Sequence, residues 1–486
     1  MQSYRRIIAC STVVFALFIA CREPTIAVSP HVVPDGTSPP TNGAAVLASM
    51  ARRPETLDEH FARLADSIPG FAGSYFDAAG RQVVALTSAG DSSRVFAIAA
   101  ALVPVSAGQP ASFQSVIHRR VQFNYRLLKS ERDYVNRVLF QLPGVVSSDI
   151  DEVNNRVVVG VVNTEALPAV RSAISAAGLK TVSAELEHTP TAGSGIVMTS
   201  QSCSGASTAL FSCFPQPMGG VEISNPSGRR CTLGFNTILS STQNANYDFG
   251  QYFVTNAHCT SVLGYNDGTQ FYQPDQQTSP AFAQEVREPL WRTYPAESTC
   301  PAGLQCSMAD AALVRYNFTD FNWAIGKIAR TYGPYSSSLS TPGSSLIDPQ
   351  SPTFAIKDSA ETSAMLGQMV YKMGIATGWT GNPINSTCKD WRLFQNNVPT
   401  NFVLMCQYGF PSTSKFGDSG SPVFKLSGTN NSRATITGLT WSDDGGYGMT
   451  YFSQYSYIAW ELTDRDYSIA CPYGGACWPR LAVSGP

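Results

Sequence analysis

The distribution of cysteine divides this chain into two halves. Of the twelve cysteines, two lie within the first 21 residues, none lies between residues 22 and 202, and ten lie beyond residue 202. An even number of cysteines in an exported chain is typical of disulfides. Zinc is the alternative, but among these ten cysteines there is one histidine, His258, and no Cys-x-x-Cys pair. The boundary between the halves falls at 189–202, a turn-rich stretch that predicts a linker.

The first 21 residues have the layout of an export signal. An arginine pair precedes an apolar run at 7–20, which is too short for a comfortable membrane span. The run ends at Cys21 in Leu-Phe-Ile-Ala-Cys, a sequence similar to a bacterial lipobox, with Phe18 where leucine is usual. Two interpretations stay open: Cys21 is lipidated and anchors the chain to a membrane, or an ordinary signal is cleaved. Residues 22–43 are rich in Pro, Ser, Thr and Gly and predict a flexible spacer.

The cysteine-free half, 44–188, mixes helix and strand periodicities, which predicts a small α+β unit. Apolar residues at helical spacing run through 44–67 and are interrupted at Pro54. The remaining predicted elements are a hairpin at 71–87 with its turn at 77–80, helices at 130–142 and 164–177, and strands at 145–150, 156–162 and 181–186.

Beyond residue 200 the pattern changes to short alternating runs separated by Gly, Pro, Asn and Ser. No long helical pattern recurs until 456–462. This pattern favours antiparallel sheets closed into barrels or sandwiches. The whole chain carries 33 Lys and Arg against 35 Asp and Glu, a formal net charge of −2. Such a balance argues against a nucleic-acid-binding protein, which needs a basic surface to neutralise phosphates.

Three segments of the second half contain the residue types needed for nucleophilic hydrolysis. His258 ends Phe-Val-Thr-Asn-Ala-His, Asp310 precedes an apolar run, and Ser419 lies in Gly-Asp-Ser-Gly-Ser-Pro at 417–422. Each segment alone is a weak indication, because Gly, Asp and Ser favour ordinary turns and a single histidine is usually structural. The three together, in one disulfide-rich half, are far less common. No other histidine lies beyond residue 188, so no other imidazole of this half could serve as a base.

The order His, Asp, Ser and these three contexts resemble the chymotrypsin-like serine proteases. The segments 230–236 and 376–379 narrow the resemblance to the bacterial branch of streptogrisins and alpha-lytic endopeptidases. The resemblance covers about 200–486, and residues 151–159 are similar to the pro-regions of that branch. It implies an all-β, trypsin-like catalytic domain of two antiparallel six-stranded β-barrels at 203–486. An α+β pro-region at 44–188 would precede it as an intramolecular chaperone and inhibitor, with a maturation site in the linker.

The resemblance also implies the role of each site residue. Ser419 would attack the peptide carbonyl, His258 would act as general base and then acid, and Asp310 would orient the imidazole. The backbone N–H groups of Gly417 and Ser419 would form the oxyanion hole. No metal or cofactor is implied. The expected protein is an exported zymogen, extracellular or bound to the cell envelope, that acts on proteins or peptides.

The chain departs from the family pattern beside the nucleophile. Ser421 replaces the usual last glycine of Gly-Asp-Ser-Gly-Gly. In the bacterial branch an arginine often pairs with the buried aspartate before the nucleophile, and Ile375 stands at that place here. The partner of Asp418 is therefore open between Lys372 and a new N-terminus formed by maturation.

The resemblance places substrate contacts on the segment before the nucleophile and on one strand. Thr440 to Ser442 would pair with the substrate backbone, with the Thr440 hydroxyl near the triad carboxylate. The segment 411–416 contains no carboxylate to pair with a substrate Arg or Lys. Leu439 stands where glutamate-specific members have a histidine. We therefore expect a preference for small to medium apolar residues before the cut, weakened by Asp443 and Asp444 close by. The expected substrate-binding residues are Phe416, Leu439, Thr440, Trp441 and Ser442.

One disulfide, Cys231–Cys259, follows from the resemblance, beside the catalytic histidine. Nearest-neighbour pairing predicts the other four, which the sequence cannot settle: Cys203–Cys213, Cys300–Cys306, Cys388–Cys406 and Cys471–Cys477.

Two rival functions stay open. One is a catalytically inactive binding module on the same fold. The other is an esterase-type hydrolase, which is disfavoured because Gly-x-Ser-x-Gly is missing and the order of residues differs. The resemblance does not explain two inserts, at 262–300 and 317–365.

Overall fold

The structure is a computed structural model of the 486-residue chain. It describes residues 53–88, 93, 95–102, 116–190, 208–240, 251–276, 279–293, 299–317, 324–333, 335–359, 364–395, 398–428, 431–443, 448–464, 469–470, 476–477 and 480–482. The export signal, Cys21, the spacer and most of the linker lie outside these ranges. None of the helices within them is long and apolar enough to cross a membrane.

The described part of the N-terminal half contains four α-helices and six strands. The helices are α1 (Leu57–Ser67), α2 (Val95–Leu102), α3 (Tyr125–Val138) and α4 (Leu167–Ala176). The strands are β1 (Phe71–Phe76), β2 (Gln82–Leu86), β3 (Ile117–Arg120), β4 (Val145–Asp151), β5 (Arg156–Val161) and β6 (Val182–Leu186). β1, β2 and β3 form one small sheet, and β4, β5 and β6 are neighbours in a larger one.

Most of the elements predicted for this half lie on described residues and are present with shifted ends, whereas α2 and β3 were not predicted. The hairpin at 71–87 is β1 and β2, and the strands at 145–150, 156–162 and 181–186 are β4, β5 and β6. α1 begins after Pro54 because Thr56 and Glu59 form a reciprocal capping box there. α3 begins five residues before the predicted residue 130, because the side chain of Asn124 accepts from the amide of Leu127 and caps the helix.

The described part of the C-terminal half is mostly β, with one short helix, α5 (Tyr455–Ala459), that continues as a π-helical turn at Trp460–Asp464. The first group of strands is β7 (Glu222–Ser224), β8 (Arg230–Thr232), β9 (Phe235–Ser240), β10 (Gln251–Thr255), β11 (Gln270–Phe271), β12 (Ala283–Arg287), β13 (Arg292–Thr293), β14 (Gln305–Ser307) and β15 (Ala312–Tyr316). The second group is β16 (Lys327–Ala329), β17 (Thr353–Ser359), β18 (Met369–Gly374), β19 (Gly378–Pro383), β20 (Ser386–Gln395), β21 (Val398–Pro411), β22 (Pro422–Ser427), β23 (Arg433–Asp443) and β24 (Met449–Gln454). Three short strands follow, β25 (Ile469–Ala470), β26 (Ala476–Cys477) and β27 (Arg480–Ala482).

Two large sheets organise the C-terminal half. One has six strands in the order β11-β12-β15-β10-β9-β27. The other has fourteen strands, with the path β19-β18-β22-β23-β24-β21-β20-β4-β5-β6 and with β13, β14, β16 and β17 paired beside it. Six strands is the number predicted for each barrel, and the closure of two barrels stays a prediction. The larger sheet exceeds that number because strands from the N-terminal half and from both inserts join it.

The two halves share this larger sheet. β20 pairs antiparallel with β4, with Asp390 opposite Ser148 and Trp391 opposite Ser147. Local sequence patterns do not predict this pairing, since the strands are more than 200 residues apart in the chain. Its consequence is that the linker joins two halves that are already paired through their backbones.

Candidate active site

His258 lies on a single 3₁₀ turn, Ala257–Cys259, directly after β10. β10 is held on both sides, by β9 and by β15, so the end of the strand has a fixed position. A disulfide joins Cys259 to Cys231 on β8. The guanidinium of Arg229 donates to the carbonyl of His258, and Asn225 Nδ2 donates to the carbonyl of Cys259 at 3.0 Å. The turn that carries the imidazole is therefore fixed by a covalent bond and by two side chains.

Asp310 faces this histidine from the residues before β15. Its Oδ2 lies 2.6 Å from Nδ1 of His258, and its Oδ1 accepts from the His258 amide at 3.1 Å. Both side chains are buried, with 6% and 1% of their surface exposed. Asn256 Nδ2 donates to the Asp310 carbonyl at 2.7 Å, which holds the aspartate in place. This arrangement assigns the Nδ1 proton to the carboxylate contact and leaves Nε2 as the proton acceptor.

Ser419 lies on a tight loop that packs against β8. The Ser419 carbonyl accepts from the amide of Thr232 at 2.7 Å, and the Thr232 hydroxyl donates to the Gly417 carbonyl at 2.7 Å. The preceding residue of β8, Cys231, is disulfide-bonded to the histidine turn, so the Ser419 loop and that turn are both attached to β8. Within the described part of the chain, Nε2 of His258 has no hydrogen-bond partner, so its bond to the Ser419 hydroxyl is not formed. Such bonds are often long or absent before substrate binds.

The predicted oxyanion-hole residues share this loop. Gly417 has φ of +102°, in the region where a side chain is strained, so the glycine allows the turn. The carbonyls of both Gly417 and Ser419 are already bonded to Thr232. No described residue accepts a hydrogen bond from the amide of either, which leaves both N–H groups available to a substrate oxygen.

Lys372, one of the two alternatives that the sequence left open, pairs with Asp418. Nζ of Lys372 lies 3.0 Å from Oδ2 of Asp418, and both side chains are fully buried. The Thr377 hydroxyl donates to the same carboxylate, whose Oδ1 also accepts from the amide of Ala376 at 2.9 Å. A Cβ added to Gly374 would lie 2.2 Å from Asp418 Oδ1, so glycine is required beside this pair. A buried lysine on β18 thus supplies the positive charge that was expected from an arginine at 375.

The predicted substrate-binding residues are distributed between core and surface. Trp441 is fully buried in an apolar cluster with Trp391 and Tyr451, and Phe416 is 40% exposed. Leu439 is fully buried, and a Cβ added to Gly234 would lie 2.3 Å from its Cδ1. The expectation of apolar pocket surface from Leu439 is therefore replaced by a contact inside the core.

Thr440 and Ser442 are both buried and both lie on β23. The pairing of β22 with β23 ends at Leu439, whereas β24 continues along Ser442 and Asp443. The expected contact of the Thr440 hydroxyl with the triad carboxylate is not formed. That hydroxyl has no hydrogen-bond partner among the described residues, and the Ser453 hydroxyl accepts from the Asp310 amide at 3.1 Å.

Sequence reasoning missed the polar groups behind the triad. The Ser453 hydroxyl donates to Gln407 Oε1 at 2.8 Å, and Nε2 of Gln407 donates to the Met308 carbonyl at 2.9 Å. These residues connect β21 and β24 to the segment that carries Asp310. Neither belongs to a motif, and they lie in strands whose pairing depends on distant sequence, so no local signal could have identified them.

Glu288 supports the residues that follow His258. Its Oε1 accepts from the Thr260 hydroxyl at 2.7 Å and its Oε2 accepts from the Gly264 amide at 2.7 Å. Burial raises the pKa of Glu288 to about 9, so this carboxyl is protonated at neutral pH. The insert at 262–300 is thereby attached to the histidine turn through an uncharged group.

Three of the predicted disulfides are present: Cys231–Cys259, Cys300–Cys306 and Cys388–Cys406. Cys213 is also disulfide-bonded, and its predicted partner Cys203 lies outside the described residues. Cys471 lies outside them too, and the side chain of Cys477 is not described, so that pairing stays a prediction. No group of three His, Cys, Asp or Glu side chains in the described ranges could hold a metal ion.

No protein-family model and no curated protein matches this chain. Among solved structures, it is similar to a protease from Nocardiopsis, with 21% identity over 49% of this chain and 91% of that one and a TM-score of 0.30. It is similar to Thermobifida fusca Protease A, with 18% identity over 55% of this chain and 98% of that one and a TM-score of 0.32. It is also similar to a chymotrypsin from Cellulomonas bogoriensis, with 16% identity over 55% of this chain and 98% of that one and a TM-score of 0.31.

Proposed function

We propose that this chain is a serine endopeptidase that cleaves peptide bonds through an acyl-enzyme. The observation that supports this most is the buried contact between His258 Nδ1 and Asp310 Oδ2, on a turn that is fixed next to the Ser419 loop. A histidine or a serine that takes no part in catalysis does not require this arrangement. Asp310 stabilises the imidazolium that forms when His258 takes a proton.

In the first step, Oγ of Ser419 bonds to the peptide carbonyl carbon while its proton moves to Nε2 of His258. The carbonyl oxygen becomes negative and accepts hydrogen bonds from the amides of Gly417 and Ser419. The bond from carbon to the amide nitrogen then breaks, and His258 gives its proton to the leaving amine. Water repeats the sequence on the ester, with His258 again as base, which releases the new carboxyl terminus and restores Ser419.

We assign Lys372 a positioning role in this reaction. Asp418 lies between the two oxyanion-hole residues, and its buried carboxylate needs a counter-charge to be stable. Lys372 is an internal residue of the sequence and is not created by cleavage. The geometry of the Ser419 loop therefore does not depend on a new N-terminus. Control of the zymogen would then come from access to the cleft.

The test is active-site labelling of the full chain with an organophosphonate or sulfonyl fluoride, followed by mass mapping. We expect one adduct, on Ser419, and peptide hydrolysis that falls at least about 10³-fold in Ser419→Ala and His258→Ala. His118→Ala, a histidine on β3, is the matched control and should keep parental turnover. A chain that accepts no reagent and hydrolyses no peptide is instead the inactive binding module.

We propose that the N-terminal half acts as a chaperone and inhibitor of the C-terminal half. The supporting observations are the β4–β20 pairing and the ion pair of 2.6 Å between Lys389 on β20 and Glu187, which lies two residues before the linker. Sheets with many distant contacts fold slowly, and a preformed partner strand would lower that barrier. Residues 200–486 produced alone should be inactive, and 44–188 supplied in trans should restore peptide hydrolysis. Active 200–486 without the partner would contradict this role.

We propose further that the chain is exported. The disulfides support this, since they persist in oxidising compartments. If Cys21 is lipidated, a Cys21→Ala chain should leave the membrane fraction. An unchanged distribution would favour an ordinary signal peptide.

A further inference from the structure

The insert at 317–365 contains a loop that lies alongside the start of β19 in the structure. The amide of Ser336 donates to the Trp379 carbonyl at 3.1 Å, and the amide of Gly343 donates to the Thr377 carbonyl at 2.8 Å. Inside the loop, the Ser336 hydroxyl donates to the Thr341 carbonyl at 2.9 Å. We call residues 336–341 the strap. Its backbone is fixed at both ends and is bonded internally, so it can act as a rigid wall.

The strap contacts the segment that leads to the nucleophile. Thr413 is 6% exposed, and its hydroxyl donates to the Ser338 carbonyl at 2.9 Å. Asn382 Nδ2 donates to the Ser337 carbonyl at 3.2 Å and to the Pro411 carbonyl at 2.6 Å, which ties the strap to the start of the same segment. The hydroxyl of Thr413 is therefore already used and is not available to a substrate side chain.

The strap also contacts Gly448, which lies beside both proposed pocket walls. β24 starts at Met449, which pairs with Pro411 on β21, and its next residue pairs with Asp443 on β23. Gly448 accepts from the Ser412 amide at 2.7 Å, and its φ is +89°. A Cβ added to Gly448 would lie 3.2 Å from Cβ of Leu339. The Leu339 side chain therefore packs against Gly448, beside both proposed walls.

We propose that the strap, through Leu339, forms the end wall of the pocket that receives the residue before the scissile bond. This inference rests on the proposed peptidase function and names the substrate class of that site. Three observations carry it: the Thr413–Ser338 bond, the Asn382 bridge and the contact of Leu339 with Gly448. A pocket closed by leucine, with the Thr413 hydroxyl already bonded, is short and apolar. It accepts small to medium apolar side chains and excludes large aromatic and charged ones.

The experiment uses the mature enzyme obtained from the full-length chain. The substrates are peptides that differ only in the residue before the cut, which is Ala, Val, Leu, Phe or Arg. The parent should cleave the Ala and Val peptides best. Leu339→Ala should raise the ratio of kcat/KM for Phe to that for Ala by about 10-fold or more, since each methylene in such a pocket changes rates by roughly 10–200-fold. Leu346→Ala is the matched control, because Leu346 lies in the same insert at 50% exposure against 49% for Leu339. It should leave the ratio unchanged.

A second variant, Leu339→Trp, should lower cleavage of the Leu peptide relative to the Ala peptide, so the inference does not depend on one variant folding. Two results would overturn it: a Phe-to-Ala ratio in Leu339→Ala within twofold of the parent, or a parent that prefers Phe or Arg. In both cases peptides are still cleaved, and the proposed peptidase function stands. A parent that labels on no serine and cleaves no peptide overturns the proposed function, and this inference with it.

Discussion

Two groups of buried charges in this molecule have similar composition and different positions. The loop cluster, Lys372 with Asp418, lies inside the C-terminal half, directly under the nucleophile. The interface cluster joins the halves: Arg132 on α3 pairs with Asp58 on α1 and with Asp390 on β20, the latter at 3.0 Å. Both clusters are buried, since none of their side chains is more than 5% exposed.

The two clusters differ in which charged side chains would lose their partners if the two halves of the chain separated. The loop cluster belongs to one half and stays intact when the halves part. The interface cluster divides: Asp390 loses the guanidinium of Arg132 and the amide of Asn136, which donates to it at 2.7 Å. It keeps the amide of Cys406, also at 2.7 Å. Unpaired buried charge is costly, whereas a carboxylate that regains water is not, so the interface cluster favours association that can be reversed.

The largest expected effect comes from breaking the loop cluster. Lys372→Met leaves Asp418 buried without a counter-charge, which costs about 3–5 kcal/mol and displaces the oxyanion-hole amides. We expect kcat/KM for a peptide to fall about 10³-fold, mainly in kcat, and Lys372→Arg to recover part of it. Lys425→Met is the control, because Nζ of Lys425 contacts the neutral side chain of Gln368 at 2.6 Å. If Lys372→Met keeps parental kcat, the two clusters do not differ as described.

The next effect comes from breaking the interface cluster. In a Ser419→Ala background, Arg132→Met should lower the free energy of unfolding by about 3–5 kcal/mol in denaturant titrations. The control is Arg126→Met, since Arg126 pairs with Asp66 at the surface, with 62% and 45% exposure. That change should cost less than about 1 kcal/mol. Equal losses in the two variants would show that the buried position of Arg132 is of no consequence.

How much of these clusters could be predicted follows from the sequence distance of their members. Asp418 precedes the nucleophile in a motif, so its need for a partner was visible, and Lys372 was one of two candidates. Arg132 and Asp390 belong to no motif, and they meet because β4 pairs with β20, an alignment that local periodicity does not encode. Most helices and strands of the N-terminal half were predictable because their apolar spacing is local. The strap was not, since its hydrogen bonds depend on where β19 and the segment at 411–416 lie.

A smaller effect should follow from pH at the interface. Burial raises the pKa of Asp149 on β4 to about 7, with Lys389 and Arg132 opposing the shift and Asp58 adding to it. Glu152 is next to it, and burial raises its pKa as well. A carboxyl whose pKa is raised in the folded state contributes stability that is complete below its ordinary value of 3.8 and is lost as the pH rises through about 7.

Asp149→Asn removes this dependence. In the Ser419→Ala background, the Asn variant should therefore gain stability relative to the parent between pH 4 and pH 8, as measured by denaturant unfolding at each pH. A constant difference between Asp149→Asn and the parent across this range would contradict the assignment.

The pairing of β20 with β4 has a consequence for the molecule after the halves separate. A strand that loses its neighbour becomes an open sheet edge, and open edges with apolar residues promote aggregation by pairing with other chains. β20 carries Trp391, but Lys389 and Asp390 precede it directly on the strand. Nζ of Lys389 lies 4.4 Å from the centre of the Trp391 ring, so the charged ammonium group covers this large apolar side chain of the edge. Lys389, which pairs with Glu187 of the N-terminal half, would thus also shield this edge if maturation removes that half.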